Sequence, residues 1–129
     1  MTAYADAQSA YTRSSILTAP PERLVVLLYD HAIRFLRQAA QALEASDLQL
    51  AHAKARRADA IIDELNFSLD MSQGEVPERL RSIYVFCKSH VLESMLRKDA
   101  SGLRTVAGLL DELREAWEQI ANGPVAEAR

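Results

Sequence analysis

Apolar residues recur three and four positions apart over residues 25–43, at Val25, Leu28, Ala32, Phe35, Leu36, Ala39 and Leu43. That spacing puts them on one continuous face of a helix. A second line, Val26, Tyr29, Ile33 and Leu36, lies beside the first. A helix buried on one side needs a single stripe, so this one carries apolar surface enough for two neighbours. Pro20 and Pro21 open it, where a helix has no amide to satisfy. Glu22 follows at the positive end of the helix dipole, and Thr18 is the candidate N-cap.

The same period carries on down the chain. Ser46-Asp47 is a short break, with Asp47 a candidate N-cap. A second helix over about residues 48–69 carries Ala51, Ala55, Ala58, Ile62, Leu65 and Leu69, a heptad-like seam whose small residues let a neighbour approach closely. Residues 70–76 form the longest turn, with Gly74 available for a positive φ. Pro77 opens a third helix, to about residue 97, whose face is Leu80, Tyr84, Cys87, Val91 and Met95 with Ile83 alongside. Asp99 caps a fourth over about residues 100–121, striped by Leu103, Val106, Leu110, Leu113, Trp117 and Ile120. Asn122-Gly123-Pro124 should end it, leaving 124–129 as a frayed tail.

Ahead of the first helix, at about residue 20, residues 1–17 read as an arm or short extra helix. Tyr4, Tyr11, Ile16 and Leu17 recur along it, anchors that a purely disordered tail lacks. Nothing in the chain alternates at strand period. Four helices of similar length joined by short turns must double back on one another, which predicts an all-α, antiparallel up-down four-helix bundle.

Composition narrows the class. A chain of 129 residues, 49% apolar and 26% charged, is an ordinary globular domain able to bury a real core. A net charge of −3 and a pI near 5.6 give no electrostatic footprint for nucleic acid or acidic lipid. One cysteine excludes an intramolecular disulfide and favours a reducing compartment. The opening MTAYADAQ has no basic segment followed by an apolar core, so no signal peptide is expected. The longest apolar run, residues 24–29, is far short of a membrane span. The expected location is the cytoplasm, without membrane insertion.

Candidate chemistry is sparse. Bundles often hold two metals through Glu-x-x-His pairs, but none of His31, His52 or His90 follows a glutamate by three residues. No metal or cofactor is expected. Cys87 and His90 make two ligands rather than a site, and Cys87 falls on the apolar seam as a buried, inert thiol. No Gly-rich phosphate loop, nucleophile elbow or paired-carboxylate motif appears, so an enzyme is not expected. Ala51-His52-Ala53-Lys54 is superficially similar to a histidine phosphotransfer site, although bulky Arg56 and Arg57 stand where a partner's approach needs small residues. Tyr29 and Tyr84 read as core-edge residues with hydroxyls in water, and Trp117 as a core filler.

Five segments in order resemble the FliS family of flagellin-specific export chaperones. Tyr11-Thr-Arg-Ser-Ser-Ile16-Leu17-Thr18-Ala19, followed by Pro21-Glu22-x-Leu24, resembles that family's tyrosine-bearing arm and the start of its first long helix. Leu27-Leu28-Tyr29-Asp30-x-Ala32-Ile33-x-Phe35-Leu36 resembles its most recognisable string. Ala60-Ile61-Ile62-x-Glu64-Leu65-x-x-x-Leu69-Asp70, with Gly74 after it, is similar to its second helix and turn. Leu80-x-x-Ile83-Tyr84 and Leu109-Leu110-x-Glu112-Leu113-Arg114-x-Ala116-Trp117 complete the likeness.

The resemblance implies a cytoplasmic chaperone that binds the disordered C-terminal segment of flagellin, prevents premature polymerisation and delivers it to the flagellar type III export apparatus. An export-gate component and regulatory proteins of flagellar assembly are the further partners it implies. The apolar periodicity agrees, since a client that orders on binding needs a long track to lie against. Second-stripe positions Val26, Tyr29, Ile33, Ile61, Leu65, Ile83 and Tyr84, with Tyr11, Ile16 and Leu17 of the arm, are the expected protein-binding residues. Two alternatives stand beside this reading: phosphotransfer on His52, and a self-associating structural bundle whose spare stripe is a homodimer interface.

Overall fold

Four helices carry the chain from Pro21 onward: α1 Pro21–Glu44, α2 Leu48–Phe67, α3 Glu75–Arg97 and α4 Ala100–Glu127. A 3-10 turn at Met71–Gln73 separates α2 from α3. The computed structural model describes residues 21–127, and side chains over 22–122. No strand occurs among the described residues. The arm, with Thr18, Tyr11, Ile16 and Leu17, lies outside them.

Two of the three connections use one local device. Ser46 (φ 59°) and Lys98 (φ 54°) take left-handed backbone. Beyond each, the amide of Asp47 donates to the Ala42 carbonyl and that of Asp99 to the Ser94 carbonyl, both at 2.8 Å. These bonds satisfy carbonyls that the helix end would otherwise orphan. The same aspartates then cap the next helix: Asp47 accepts the Leu50 amide at 3.1 Å, and Asp99 accepts the Gly102 amide at 3.2 Å. The third connection turns at Gly74, whose φ of 96° suits a residue without Cβ. Because Gly74 turns the chain, α3 begins at Glu75, two residues before Pro77, which still lies in the amide-free first turn.

At the other end α4 runs on to Glu127, past the Gly123-Pro124 pair where the sequence places its stop. A proline there has no amide to donate and crowds the carbonyl four residues earlier, a cost confined to the last turn of the helix. Contacts along α1 and α4 show their sense. Arg23 donates to Asn122 at 2.7 Å, Arg114 pairs with Asp30, and Arg104 bridges Glu44 at 3.0 Å. As one number rises the other falls, so α1 and α4 are antiparallel. With short turns between consecutive helices, the whole fits an up-down bundle.

The core explains the double stripe on α1. This helix lies against both α2 and α4, and Leu28, Tyr29, Ala32, Ile33, Phe35 and Leu36 are all buried. Of its second stripe, Tyr29, Ile33 and Leu36 are covered by the bundle itself, while Val26 stays half-exposed. The α2 seam (Ala51, Ala55, Ala58, Ile62, Leu65) and the α4 stripe (Leu103, Val106, Leu110) are buried too. In contrast, α3 meets its neighbours over less of its length. At its far end the contact with α4 tightens: a Cβ on Gly102 would sit 2.1 Å from Ser94 Oγ.

Tyr29 and Tyr84 depart from expectation. Neither hydroxyl reaches water; they hydrogen-bond each other at 2.5 Å across the core. A buried hydroxyl is tolerated only with a partner, and here each supplies the other's. Burial pushes the Tyr84 hydroxyl up to about 12 and the Cys87 thiol up to about 11. Burial, then the Tyr84 neighbour, raises Tyr29 as well.

A group whose folded-state pKa lies above its unfolded value contributes stability below the unfolded pKa, lost as pH climbs through the folded one. Stability should therefore hold to about pH 9 and fall between about pH 9 and 12. Each group would contribute a slope of up to about 1.4 kcal/mol per pH unit. Urea melts across that range should show a gentler decline in Tyr29→Phe/Tyr84→Phe; a decline equal to wild type would exclude the tyrosines as its source.

Candidate partner-binding surface

The apolar surface left over belongs mainly to α3. Its inner face, Tyr84, Cys87, Val91 and Met95, is buried, while Val85, Leu92 and Leu96 stand 55%, 63% and 75% exposed on the outer side. Seven- and four-residue steps align those three as a stripe of their own. Where the stripe meets α2 there is a groove of about 550 Å³, walled by Ala55 and Arg56 on α2 and by Leu92, Met95 and Leu96 on α3. A second groove of about 490 Å³ opens at the end of the bundle, among Leu24, Val25, Phe67, Val76, Leu80 and Trp117. Phe67, at 82% exposure, caps its rim.

A polar element stands at the near edge of the α2–α3 groove, which Lys88 and Asp59 line. Lys88 of α3 reaches across to Asp63 at 2.6 Å and Asp59 at 3.0 Å on α2. Partial burial works against its charge, but hydrogen bonds to Asp63 and Asp59 outweigh that and raise its pKa above the ordinary lysine value. The triad ties α3 to α2 at that edge.

The sequence-derived binding residues fall unevenly on this surface. Tyr29, Ile33, Ile61, Leu65 and Tyr84 are buried in the core. Val26 and Ile83 keep half-exposed side chains, and Tyr84 forms part of the floor of the end groove. Tyr11, Ile16 and Leu17 fall outside the described residues. The periodicity argument missed Val85, Leu92 and Leu96. The signal for them was present: once a helix's inner seam is assigned, large apolar residues left over at steps of seven and four mark a second face.

Polar groups in the grooves are few: His52, Arg56 and the Asp59–Lys88 pair line the α2–α3 groove, and Glu22, Glu64 and Asp70 the end groove. His52 lines the α2–α3 groove as an exposed side chain. No group of three or more potential metal ligands occurs among the described residues. No helix among them is long and apolar enough to cross a membrane. Cys87 is buried, and its raised pKa keeps it a thiol.

Comparison with known proteins adds what packing leaves open. The family described as flagellar protein FliS matches residues 3–124. The chain belongs to the FliS family. The flagellar secretion chaperone FliS of Bacillus subtilis is 32% identical over 111 residues, 86% of this chain and 83% of that protein. The FliS chaperone of Salmonella typhimurium is 34% identical over 110 residues, covering 84% and 82%, and that of Escherichia coli is 26% identical over 113 residues. FliS proteins are chaperones of flagellar secretion and not enzymes. A chaperone role in flagellar export thus takes the place of phosphotransfer at His52, and the FliS surface to explain is one that holds a polypeptide.

Proposed function

We propose that this protein binds the disordered C-terminal segment of flagellin in the cytoplasm, keeps it from polymerising early and presents it to the flagellar export apparatus. The observation that carries this reading is the unpartnered outer face of α3 beside the α2–α3 groove. An isolated domain gains nothing by leaving Leu92 and Leu96 in water, and contiguous apolar surface of this kind marks an interaction site. A segment that orders on binding offsets its entropy loss by covering a long surface. Two grooves in line along α2 and α3 supply one.

The arm fits the same scheme. Glu22 and Leu24 already line the end groove. Ile16 and Leu17 precede α1 by only a few residues, each spanning at most about 3.6 Å. They can therefore cover that groove until a client displaces them.

Titration with the last few dozen residues of flagellin from the same organism tests the reading. Binding at micromolar concentration is expected, about −8 kcal/mol, and stronger once residues 1–17 are removed. Flagellin lacking those residues should not bind. A chain that ignores the segment, and instead dimerises with rising concentration on sizing, would replace this reading with that of a self-associating bundle.

A further inference from the structure

We infer that the α1–α2 face is a docking surface for an acidic polypeptide segment, separate from the apolar grooves. Carboxylates on these helices are drawn into bridges with the other two: Asp30 and Glu44 of α1 pair with Arg114 and Arg104 of α4, and Asp59 and Asp63 of α2 pair with Lys88 of α3. Cations are left behind. Arg34, Lys54 and Arg57 converge on one ring, with charged atoms 5.9, 5.4 and 5.6 Å from the centroid of Phe35. Arg37 lies one turn beyond Arg34 on the same side of α1, and the two line a shallow hollow whose other wall holds Asp30 and Asp111. None of these four pairs with a carboxylate among the described residues. Elsewhere on the surface, Arg79, Arg97, Arg104 and Arg114 pair with carboxylates, while Arg56, Arg81 and Lys98 stand singly among the described residues. What distinguishes the α1–α2 cations is their convergence on one ring.

Gathering like charges costs energy, and in a chain of net charge −3 it calls for an account. Cation–π contact with Phe35 holds the heads in place. One Arg34 nitrogen is engaged with His31 Nδ1 at 2.5 Å, and the remaining donors of the cluster point outward without a carboxylate among the described residues. A carboxylate-bearing chain satisfies those donors bidentately, as guanidinium geometry favours.

A polypeptide suits this face better than a membrane or nucleic acid. Binding to an acidic bilayer couples basic residues to a broad apolar face that inserts beside them. The most exposed apolar stripe, Val85, Leu92 and Leu96, lies on α3, whereas Leu27 of α1 and Leu48 and Leu50 of α2 are only 36%, 39% and 44% exposed. Stacking on bases needs an accessible ring, whereas Phe35 is only 4% exposed. The surface is independent of the client reading and stays open when both grooves are filled.

The test uses a fluorescein-labelled decaglutamate peptide, followed by anisotropy with the full chain. Arg34→Gln/Arg37→Gln/Arg57→Gln is compared with Arg79→Gln/Arg97→Gln/Arg104→Gln, which removes the same charge elsewhere. Circular dichroism checks that both fold, and Lys54→Gln alone serves if the first triple does not. The first triple should lower affinity by on the order of tenfold, while the second leaves it within about twofold, a contrast that vanishes near 1 M salt, where screening acts over about 3 Å. Equal losses in the two triples would overturn the inference. So would tighter binding of the wild type to phosphatidylserine vesicles or to a single-stranded oligonucleotide.

Discussion

Glutamates placed together at Leu92 and Leu96 will weaken binding of the flagellin tail by about a hundredfold. Both side chains are mostly exposed in the free protein, so their replacement should shift folding stability by no more than about 0.5 kcal/mol. On docking, each leucine leaves water. Burial of such a side chain gains about 1.5–3 kcal/mol, part of it offset by the ordering of client and loops. A net loss of roughly 3 kcal/mol across the pair corresponds to about a hundredfold at 1.4 kcal/mol per decade. Calorimetric titration of variant and wild type with the same peptide reads it directly. An affinity within about twofold of wild type would move docking to the end groove, where Phe67 and Trp117 become the residues to change.

Leucine at Gly102 should cost about 1–2 kcal/mol of stability. A Cβ there already lies 2.1 Å from Ser94 Oγ and 3.0 Å from Ser94 Cβ, and Ser94 is buried. The three further carbons of leucine have no space, so the α3 backbone must move away from α4. Overpacking of this kind costs about 1–3 kcal/mol and sometimes more. Better helix propensity than glycine returns up to about 1 kcal/mol. At this chain length the melting temperature should fall by about 5 °C. Gly102→Ala should fall less, and Ser94→Gly added to it should recover part of the loss. An unchanged melting temperature for Gly102→Leu would mean the two helices are not held this closely.

How far the sequence disclosed this structure depends on the kind of signal. Repeats at three and four residues identified all four helices, because each must bury an apolar face. Asp47, Asp99 and Gly74 were legible as punctuation, since each has a chemistry that a helix end requires. Ser46 and Lys98 were not. Neither residue type prefers left-handed backbone, and only the Schellman-type hydrogen bonds around them explain it.

The binding surface was harder to read for a physical reason. The second stripe on α1 is real, but periodicity reports only that a face is apolar, never what covers it. Tyr29 and Ile33 lie under neighbouring helices, and the corresponding exposed stripe sits on α3 at Val85, Leu92 and Leu96. Pairing of Tyr29 with Tyr84 was equally out of reach, because it joins residues 55 positions apart. Family resemblance came from ordered segments and was independent of which of these faces is open.

The Lys88 bridge constrains the grammar of any guest. The two grooves are centred near residues 79 and 91 of α3, about 18 Å apart at 1.5 Å per residue. A guest in extended form spans that with five or six residues, and a helical one with about twelve. At the near edge of the α2–α3 groove, which Asp59 and Lys88 line, it passes two carboxylates sharing one ammonium, a net negative step that an oily side chain would leave poorly solvated. The sequence best suited to this protein therefore reads as two greasy phrases with a lysine, arginine or neutral polar comma between them.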